Sequence, residues 1–223
     1  MRTHSLDFQT GVTLLGGGDV APGALETALA RAPALVCADG GANQLAPDGP
    51  RPNAVIGDLD SLADAGRWRA RLGDDLIHVA EQDSTDFEKC LYRVTAPFFI
   101  GVGFLGGRID HELGVLSALI ADDRPIILMG VKDVVCSAGT EFSLELSADD
   151  RFSIFPMRAV TALSSKGLRW PVEGMELAAG GAVSVSNRVE TSPVSISLDR
   201  AGAVAIAPLK RLDQMIAAAR KRP

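Results

Sequence analysis

The sequence lacks several features that would have set its class at once. It has only three cysteines, Cys37, Cys90 and Cys136, widely spaced and odd in number. A cystine-stapled secreted domain needs paired cysteines, so this usage points instead to a reducing compartment. Cys37 and Cys90 sit in apolar patterns, as buried free thiols do. No apolar run approaches the roughly 20 residues that cross a bilayer. The most suspicious stretch, 97–105, is broken by Gly101 and Gly103. The start, Met1 to Asp7, has no apolar core of a signal peptide. Basic residues do not predominate, and the net charge of −6 argues against nucleic acid as the main partner. A small phosphorylated ligand stays possible, because a bound cation reverses the local sign. Repeats, low-complexity tracts and long linkers are missing too. A cytoplasmic protein is expected, with no membrane and no nucleic acid among its partners.

With 223 residues, 47% of them hydrophobic and 22% charged, the chain can bury one large core or two small ones. From Val12 to about Leu128, short apolar runs alternate with helix-like stretches. The runs are Val12–Leu15, Ala34–Ala38, Ala54–Ile56, Leu76–Val79, Phe98–Ile100 and Ile126–Leu128. Continuous apolar strands separated by helices predict α/β: an open, mainly parallel sheet with helices on both faces. After about Val134 the rhythm changes to period-two alternation in Phe142–Leu146, Phe152–Phe155, Val183–Ser186 and Val194–Leu198, with Ala203–Ile206 as a closing strand. That pattern predicts half-buried antiparallel strands in a small β-sandwich or barrel. Leu209 to Arg222 reads as a terminal helix with a basic end. The boundary falls near residues 130–140.

In an open parallel sheet, ligands bind beyond the carboxyl ends of the strands. The segments after these strands carry Asp19, Asp39, Asp58, Asp60, Asp83, Asp86 and Asp110, with several glycine pairs. Such carboxylates would repel one another without a cation. Mg²⁺ takes oxygen ligands and bridges carboxylates to phosphates, while glycines let backbone N–H groups approach phosphate oxygens.

Gly57-Asp58-Leu59-Asp60-Ser61 is the sharpest element, with Asp58 and Asp60 able to face one ion while Leu59 anchors inward. An acidic helix-capping turn reads the same residues equally well. A phosphatase-like Asp-x-Asp nucleophile fits less well, because Gly57 replaces an apolar lead-in and no threonine follows. In Asp83-Ser84-Thr85-Asp86-Phe87-Glu88-Lys89, Thr85 and Glu88 fit a capping box. Asp83 and Asp86 then sit at a helix start, which attracts anions, so a metal–phosphate complex docking there explains them. In Gly106-Gly107-Arg108-Ile109-Asp110-His111, Arg108 suits bidentate contact to phosphate, whereas His111 is as readily a packing residue. Asp39-Gly40-Gly41-Ala42-Asn43 offers Asp39 and Asn43 as polar contacts. Gly16-Gly17-Gly18 is no Walker loop, lacking Gly-Lys-Ser/Thr, and the Rossmann glycine spacing is missing as well.

In this order the four motifs resemble those of the thiamine pyrophosphokinase family. Gly167-Leu168-Arg169-Trp170-Pro171 and Val185-Ser186-Asn187 are similar to that family's thiamine-pocket segments. The resemblance covers nearly the whole chain after Val12. It implies transfer of the pyrophosphoryl group of ATP to the hydroxyl of thiamine by a Mg²⁺-dependent homodimer. It also implies an α/β nucleotide and Mg²⁺ domain over 1–135 and a thiamine-binding β-sandwich with terminal helix over 136–223. Asp58, Asp60, Asp83 and Asp86 would hold metal, and Asp58, Asp60, Asp86 and Arg108 would serve catalysis. Asp39, Asn43, Ser61, Asp83, Ser84, Thr85, Lys89, Gly107 and Asp110 would bind ATP. Trp170, Ser186 and Asn187 would contact thiamine, a flat cation suited to an indole face. Arg188 stands where relatives commonly carry an acidic residue, and Leu105 where a threonine is frequent. Two rivals remain: an ATP-dependent transferase acting on another small alcohol, and a nucleotide-binding module without turnover.

Overall fold

A computed structural model describes residues 5–221. The first four residues of the expected leaderless start and the last two of the chain, including the expected helix end at Arg222, lie outside the described residues. The chain divides into two compact units between Ala118 and Leu119.

The first unit opens with β1 (Leu6–Asp7), followed by β2 (Val12–Leu15), α1 (Ala24–Leu29), β3 (Ala34–Ala38), β4 (Ala54–Gly57), α2 (Ala65–Leu72) and β5 (Leu76–His78). Then come α3 (Asp86–Arg93), β6 (Val94–Thr95), β7 (Phe99–Val102) and α4 (Ile109–Ala121), which runs across the division. β2, β3, β4 and β7 are buried at every position, as strands covered on both faces must be. β2 pairs in parallel with β7, with Leu15 opposite Val102. β3 pairs in parallel with β4, and β4 with β5. β1 and β6 form a separate short parallel pair. α1 packs on β2 and β7, α2 on β5, and α3 on β3 and β4. Because these strands run the same way, their carboxyl ends and the acidic loops share one edge.

α2 is anchored by buried Trp68, with the guanidinium groups of Arg67 and Arg71 over its ring at 5.0 and 5.6 Å from the centroid. α3 starts on the expected capping box: the Thr85 side chain accepts from the Glu88 N–H, and the Glu88 carboxylate accepts from the Thr85 N–H. Its inner face carries Phe87, Lys89, Cys90 and Leu91.

The second unit is antiparallel. It comprises β8 (Ile126–Met129), β9 (Asp133–Ser137), β10 (Glu141–Leu144), β11 (Arg151–Pro156), β12 (Val160–Lys166), β13 (Glu176–Leu177), β14 (Ser184–Arg188), β15 (Val194–Leu198) and β16 (Ala203–Pro208). One sheet runs β8-β9-β16-β11-β14 and another β10-β15-β12-β13. Phe142 of β10 stacks on Phe152 of β11, joining the two sheets at 6.1 Å between ring centroids. The tail is a 3₁₀ turn, Leu209–Arg211, and then α5 (Leu212–Arg220). Buried Asp150 ties it down through Lys210 at 2.8 Å and Arg211 at 2.7 Å. β12 escapes period-two reading because a bulge between Ala162 and Ser164 turns Leu163 out to solvent.

Candidate active site

Three loops of the first unit build an acidic centre. Asp39 follows β3 directly, in the left-handed region at φ 40° and only 1% exposed. Its Oδ2 accepts from the Ser61 N–H at 3.2 Å, whereas its Oδ1 is buried with no hydrogen-bond partner among the described residues. Asp58 and Asp60 follow β4. Leu59 between them is not the inward anchor expected but a half-buried residue at φ 66°, whose turn swings both carboxylates to the same side. Oxygens of Asp39, Asp58 and Asp60 all lie within 4.8 Å of one another. Burial pushes the Asp39 pKa up, and the charges of Asp86, Asp58 and Asp60 add to that, against the opposing Ser61 N–H.

Gly57 makes this approach possible. A Cβ there would lie 2.5 Å from Asp39 Cβ and 3.1 Å from its Cα. Asn43 then locks the loop, its amide donating to the Ser61 carbonyl at 2.8 Å and accepting from the Ala63 N–H at 2.9 Å. Ser61 in turn donates its hydroxyl to Asp60 at 2.9 Å. The side chains of Asn43 and Ser61 are thus committed to shaping the loop around the carboxylates.

Lys89, 2% exposed, reaches from α3 to Asp58 at 3.0 Å and Asp86 at 3.1 Å. Burial disfavours its charge, but the hydrogen bonds to Asp58 and Asp86 outweigh that and hold its pKa above the ordinary value. The same bond holds the Asp58 pKa down at about 2, helped by the Asp60 N–H and the Gln82 amide. Asp86 therefore joins the centre through Lys89. Asp83 is exposed, on the loop ahead of α3, and is not among the carboxylates that converge within 4.8 Å. That loop is organised by Glu81, which accepts from the N–H groups of Asp83 (2.9 Å) and Ser84 (3.2 Å), the Ser84 hydroxyl, and the Tyr92 hydroxyl at 2.5 Å. These bonds, those of Ser84 and Tyr92 foremost, lower the Glu81 pKa to about 2. Ser84 and Thr85 thus spend their hydroxyls within the loop and the helix cap.

After β7 the chain turns through Gly106, at φ 94°, where a side chain would be strained. Asp19 lies beside it, 3.8 Å from the position of a Gly106 Cβ. Arg108 is exposed and forked onto Asp110, Nε to Oδ1 at 3.2 Å and Nη2 to Oδ2 at 2.6 Å. Arg108 holds the Asp110 pKa at about 2. The Gly107 N–H points at Glu112.

In the second unit, Trp170 is 55% exposed, while Asn187 is 3% exposed and binds the tryptophan's backbone at both ends. Its Oδ1 accepts from the Trp170 N–H at 3.3 Å, and its Nδ2 donates to the Trp170 carbonyl at 2.7 Å. Ser186 adopts φ 56° and donates its N–H to the Ser153 hydroxyl. A groove of about 190 Å³ is lined by Trp170, Val172, Met175, Val183, Val185 and Asn187. The Arg188 guanidinium turns away to the Asp149 carbonyl at 3.2 Å. A larger cavity of about 430 Å³, by Phe142, Glu145, Gln214 and Lys221, contains none of the residues expected from sequence.

Glu81, Tyr92 and Glu112 were not singled out by sequence reasoning. Their contacts run between loop and helix residues with no shared motif, and only the acidic first turn of α4 hinted at Glu112.

No described helix is long and apolar enough to cross a membrane. The family model for the thiamin pyrophosphokinase catalytic domain matches residues 25–128, and that for its vitamin B1 binding domain matches residues 141–201. The chain is 28% identical to thiamine pyrophosphokinase 1 of Oryza sativa subsp. japonica, over 76% of each chain. Its fold is similar to that of thiamin pyrophosphokinase from Geobacillus thermodenitrificans, at 24% identity and a TM-score of 0.73, covering 89% of this chain and 96% of that one. It is also similar to the fold of the Candida albicans thiamin pyrophosphokinase, at 16% identity and a TM-score of 0.78, covering 93% and 94%. With both domain models matched in order along one chain, the protein belongs to the thiamin pyrophosphokinase family.

Proposed function

We propose that this chain transfers the β,γ-pyrophosphoryl group of ATP to the hydroxyl of thiamine, giving thiamine diphosphate and AMP. The observation that carries the reading is the convergence of Asp39, Asp58 and Asp60 within the span matched by the catalytic-domain model. An all-oxygen donor set with one buried, unsatisfied carboxylate oxygen fits a hard divalent cation such as Mg²⁺. Asp39, Asp58 and Asp60 would hold it. Asp86, fixed by Lys89, and Asp83, on the exposed loop, complete the acidic set around the metal–ATP complex. When bound, the cation neutralises phosphate charge at the centre.

The remaining work falls to the chain's own residues. Phosphoryl-type transfer depends on positioning and charge stabilisation. Arg108 leaves Asp110 for a phosphate oxygen, a small loss for an exposed pair, and stabilises negative charge on the transferred group. The thiamine hydroxyl gives its proton to a carboxylate of the acidic set as its oxygen bonds to the β-phosphorus, while the bond from that phosphorus to the α,β-bridging oxygen breaks and AMP leaves with that oxygen. Lys89 neither exposes its ammonium nor has it free; it organises Asp58 and Asp86 and meets ATP through them. Ser61, Ser84, Thr85 and Gly107 shape the nucleotide-binding loops, with Asn43 setting the position of Ser61. In the second unit, the exposed Trp170 ring stacks on the flat thiamine cation, Asn187 fixes the backbone that carries that ring, and Ser186, the exposed residue before Asn187, is assigned a thiamine contact.

We assign the nucleotide and metal work to residues 1–135 and the thiamine work to 136–223, a boundary supported by the gap between the two matched spans. A homodimer is part of the reading, supported by the exposed apolar side chains of Trp170, Val183 and Val185. Cytoplasmic residence is supported by three buried cysteines that form no disulfide.

Incubation of the purified protein with ATP, Mg²⁺ and thiamine tests the reaction. AMP and thiamine diphosphate should appear in equal amounts; ADP in place of AMP contradicts pyrophosphoryl transfer. Asp58→Asn and Asp60→Asn should each abolish turnover with the fold retained by circular dichroism, and near-normal rates in both would move the metal site elsewhere.

A further inference from the structure

The loop that carries Arg108 is held by a residue with no place in the constellation above. Oε1 of Glu112 accepts from the Gly106 N–H and from the Gly107 N–H, each at 2.9 Å. The backbone N–H of Glu112 also donates to the Arg108 carbonyl at 3.1 Å. One residue therefore grips the chain on both sides of Arg108: side chain to the two glycines before it, backbone to its own carbonyl. Gly106 gives this loop no stiffness of its own, because glycine has the widest conformational freedom. Successive N–H groups aimed at one point form a nest for an anion, and here the anion is supplied by the chain. The Arg108 side chain, by contrast, is 71% exposed and tethered only to the equally open Asp110.

We propose that Glu112 is a positioning residue for pyrophosphoryl transfer. It fixes the Gly106–Gly107 backbone so that Arg108, loosely parked on Asp110, swings to phosphate from a fixed base. The inference rests on the reading of Arg108 as the phosphate-binding arginine. A rigid pivot with a mobile head matches what bidentate phosphate contact requires, since the planar fork must arrive at one orientation. Misplacing such a group by about 1 Å costs about 10²-fold in rate.

Two conservative variants separate this role from helix stabilisation. Glu112→Gln gives up the charge but keeps an oxygen at the same reach for both N–H groups. Glu112→Asp keeps the charge that favours a helix start but is one methylene too short. As a clamp, Glu112→Gln should stay within about 3-fold of wild type in kcat/KM for ATP, and Glu112→Asp should lose about 10-fold or more, with the KM for thiamine unchanged. Arg108→Ala should lose about 10²-fold or more, and the Arg108→Ala/Glu112→Asp double variant should lose no more than Arg108→Ala, because the clamp acts through the arginine. All four are assayed by AMP release at matched thermal stability. The reverse order, with Gln impaired and Asp active, overturns the proposal in favour of helix stabilisation. Multiplicative losses in the double variant overturn it too. A lower KM for ATP in Glu112→Asp also overturns it, making Glu112 a placeholder that phosphate displaces. Full activity in Arg108→Ala removes the reading of Arg108 itself, whereas a dead Arg108→Ala beside an unaffected Glu112→Asp removes only the clamp.

Discussion

Gly57→Ala is the smallest change that should break the acidic centre. It adds one carbon at a place where no exotic backbone angle is needed, so any effect comes from contact alone. That carbon would stand 2.5 Å from Asp39 Cβ and 3.1 Å from Asp39 Cα and Cγ. Carbons settle at about 3.5–4.0 Å, so Asp39 and its neighbours must retreat by about 1 Å. The obstacle is the base of a side chain buried beside a strand end, which cannot rotate away. Overpacking of this kind costs about 1–3 kcal/mol. For a chain of this size each kcal/mol lowers Tm by roughly 2–4 °C. The catalytic loss should reach the top of that energy range, because in the proposed reading Asp39 shares a cation with Asp58 and Asp60: displacement by about 1 Å predicts about 10²-fold lower kcat. Calorimetric Mg²⁺ titration, thermal melting and AMP release on one preparation measure all three effects. Wild-type values throughout would refute the close packing of β3 against β4 at this point. A fall in Tm with unchanged kcat and Mg²⁺ affinity would remove Asp39 from the metal-binding set.

Lys89→Met removes the buried cation between Asp58 and Asp86 and should cost about 3 kcal/mol, read by urea denaturation. In the folded chain the Asp58 pKa is about 2, below the roughly 3.9 of an unfolded chain. Its pair therefore stabilises fully above about pH 4 and is lost as pH falls toward 2; this acid-side decline in Tm should shrink in Lys89→Met. Asn187→Ala should cost about 2–3 kcal/mol for the stranded Trp170 and Arg188 backbone groups. It should also raise the KM for thiamine and spare that for ATP, and equal rises in both constants would disconnect Asn187 from the thiamine side. Chelation with EDTA should stop turnover, and added Mg²⁺ should restore it; undiminished turnover in EDTA would contradict a metal centre.

The first unit was legible because its strands are continuous apolar runs and its polar residues gather in the loops after them. The ends of β3 and β4, and with them Asp39, Asp58 and Asp60, follow from that pattern alone. What the pattern does not carry is distance through space. Lys89 reads as an ATP-binding residue one turn into a helix, yet the packing of α3 on β3 and β4 buries it against Asp58. Asn43 reads as a ligand contact, but its amide is matched to two backbone groups some 20 residues away. In the second unit, β9 and β12 went unread. The first has no polar alternation, and the second changes face at its bulge.

The meeting of Asp39 with Asp58 and Asp60 also ties the fold's survival to its surroundings. Their loops follow adjacent parallel strands, so the carboxylates come together only once Ala38 lies opposite Ile56. In the extended chain Asp39 is far from the other two, and folding itself brings about its repulsion with them. A divalent ion that recognises only the assembled arrangement adds its binding free energy to that of folding. At a free concentration 100 times its Kd, that addition is about 2.7 kcal/mol. On the proposed metal reading, the cation-starved protein is a less durable object as well as an idle one, and a chelator should act on it as a mild denaturant.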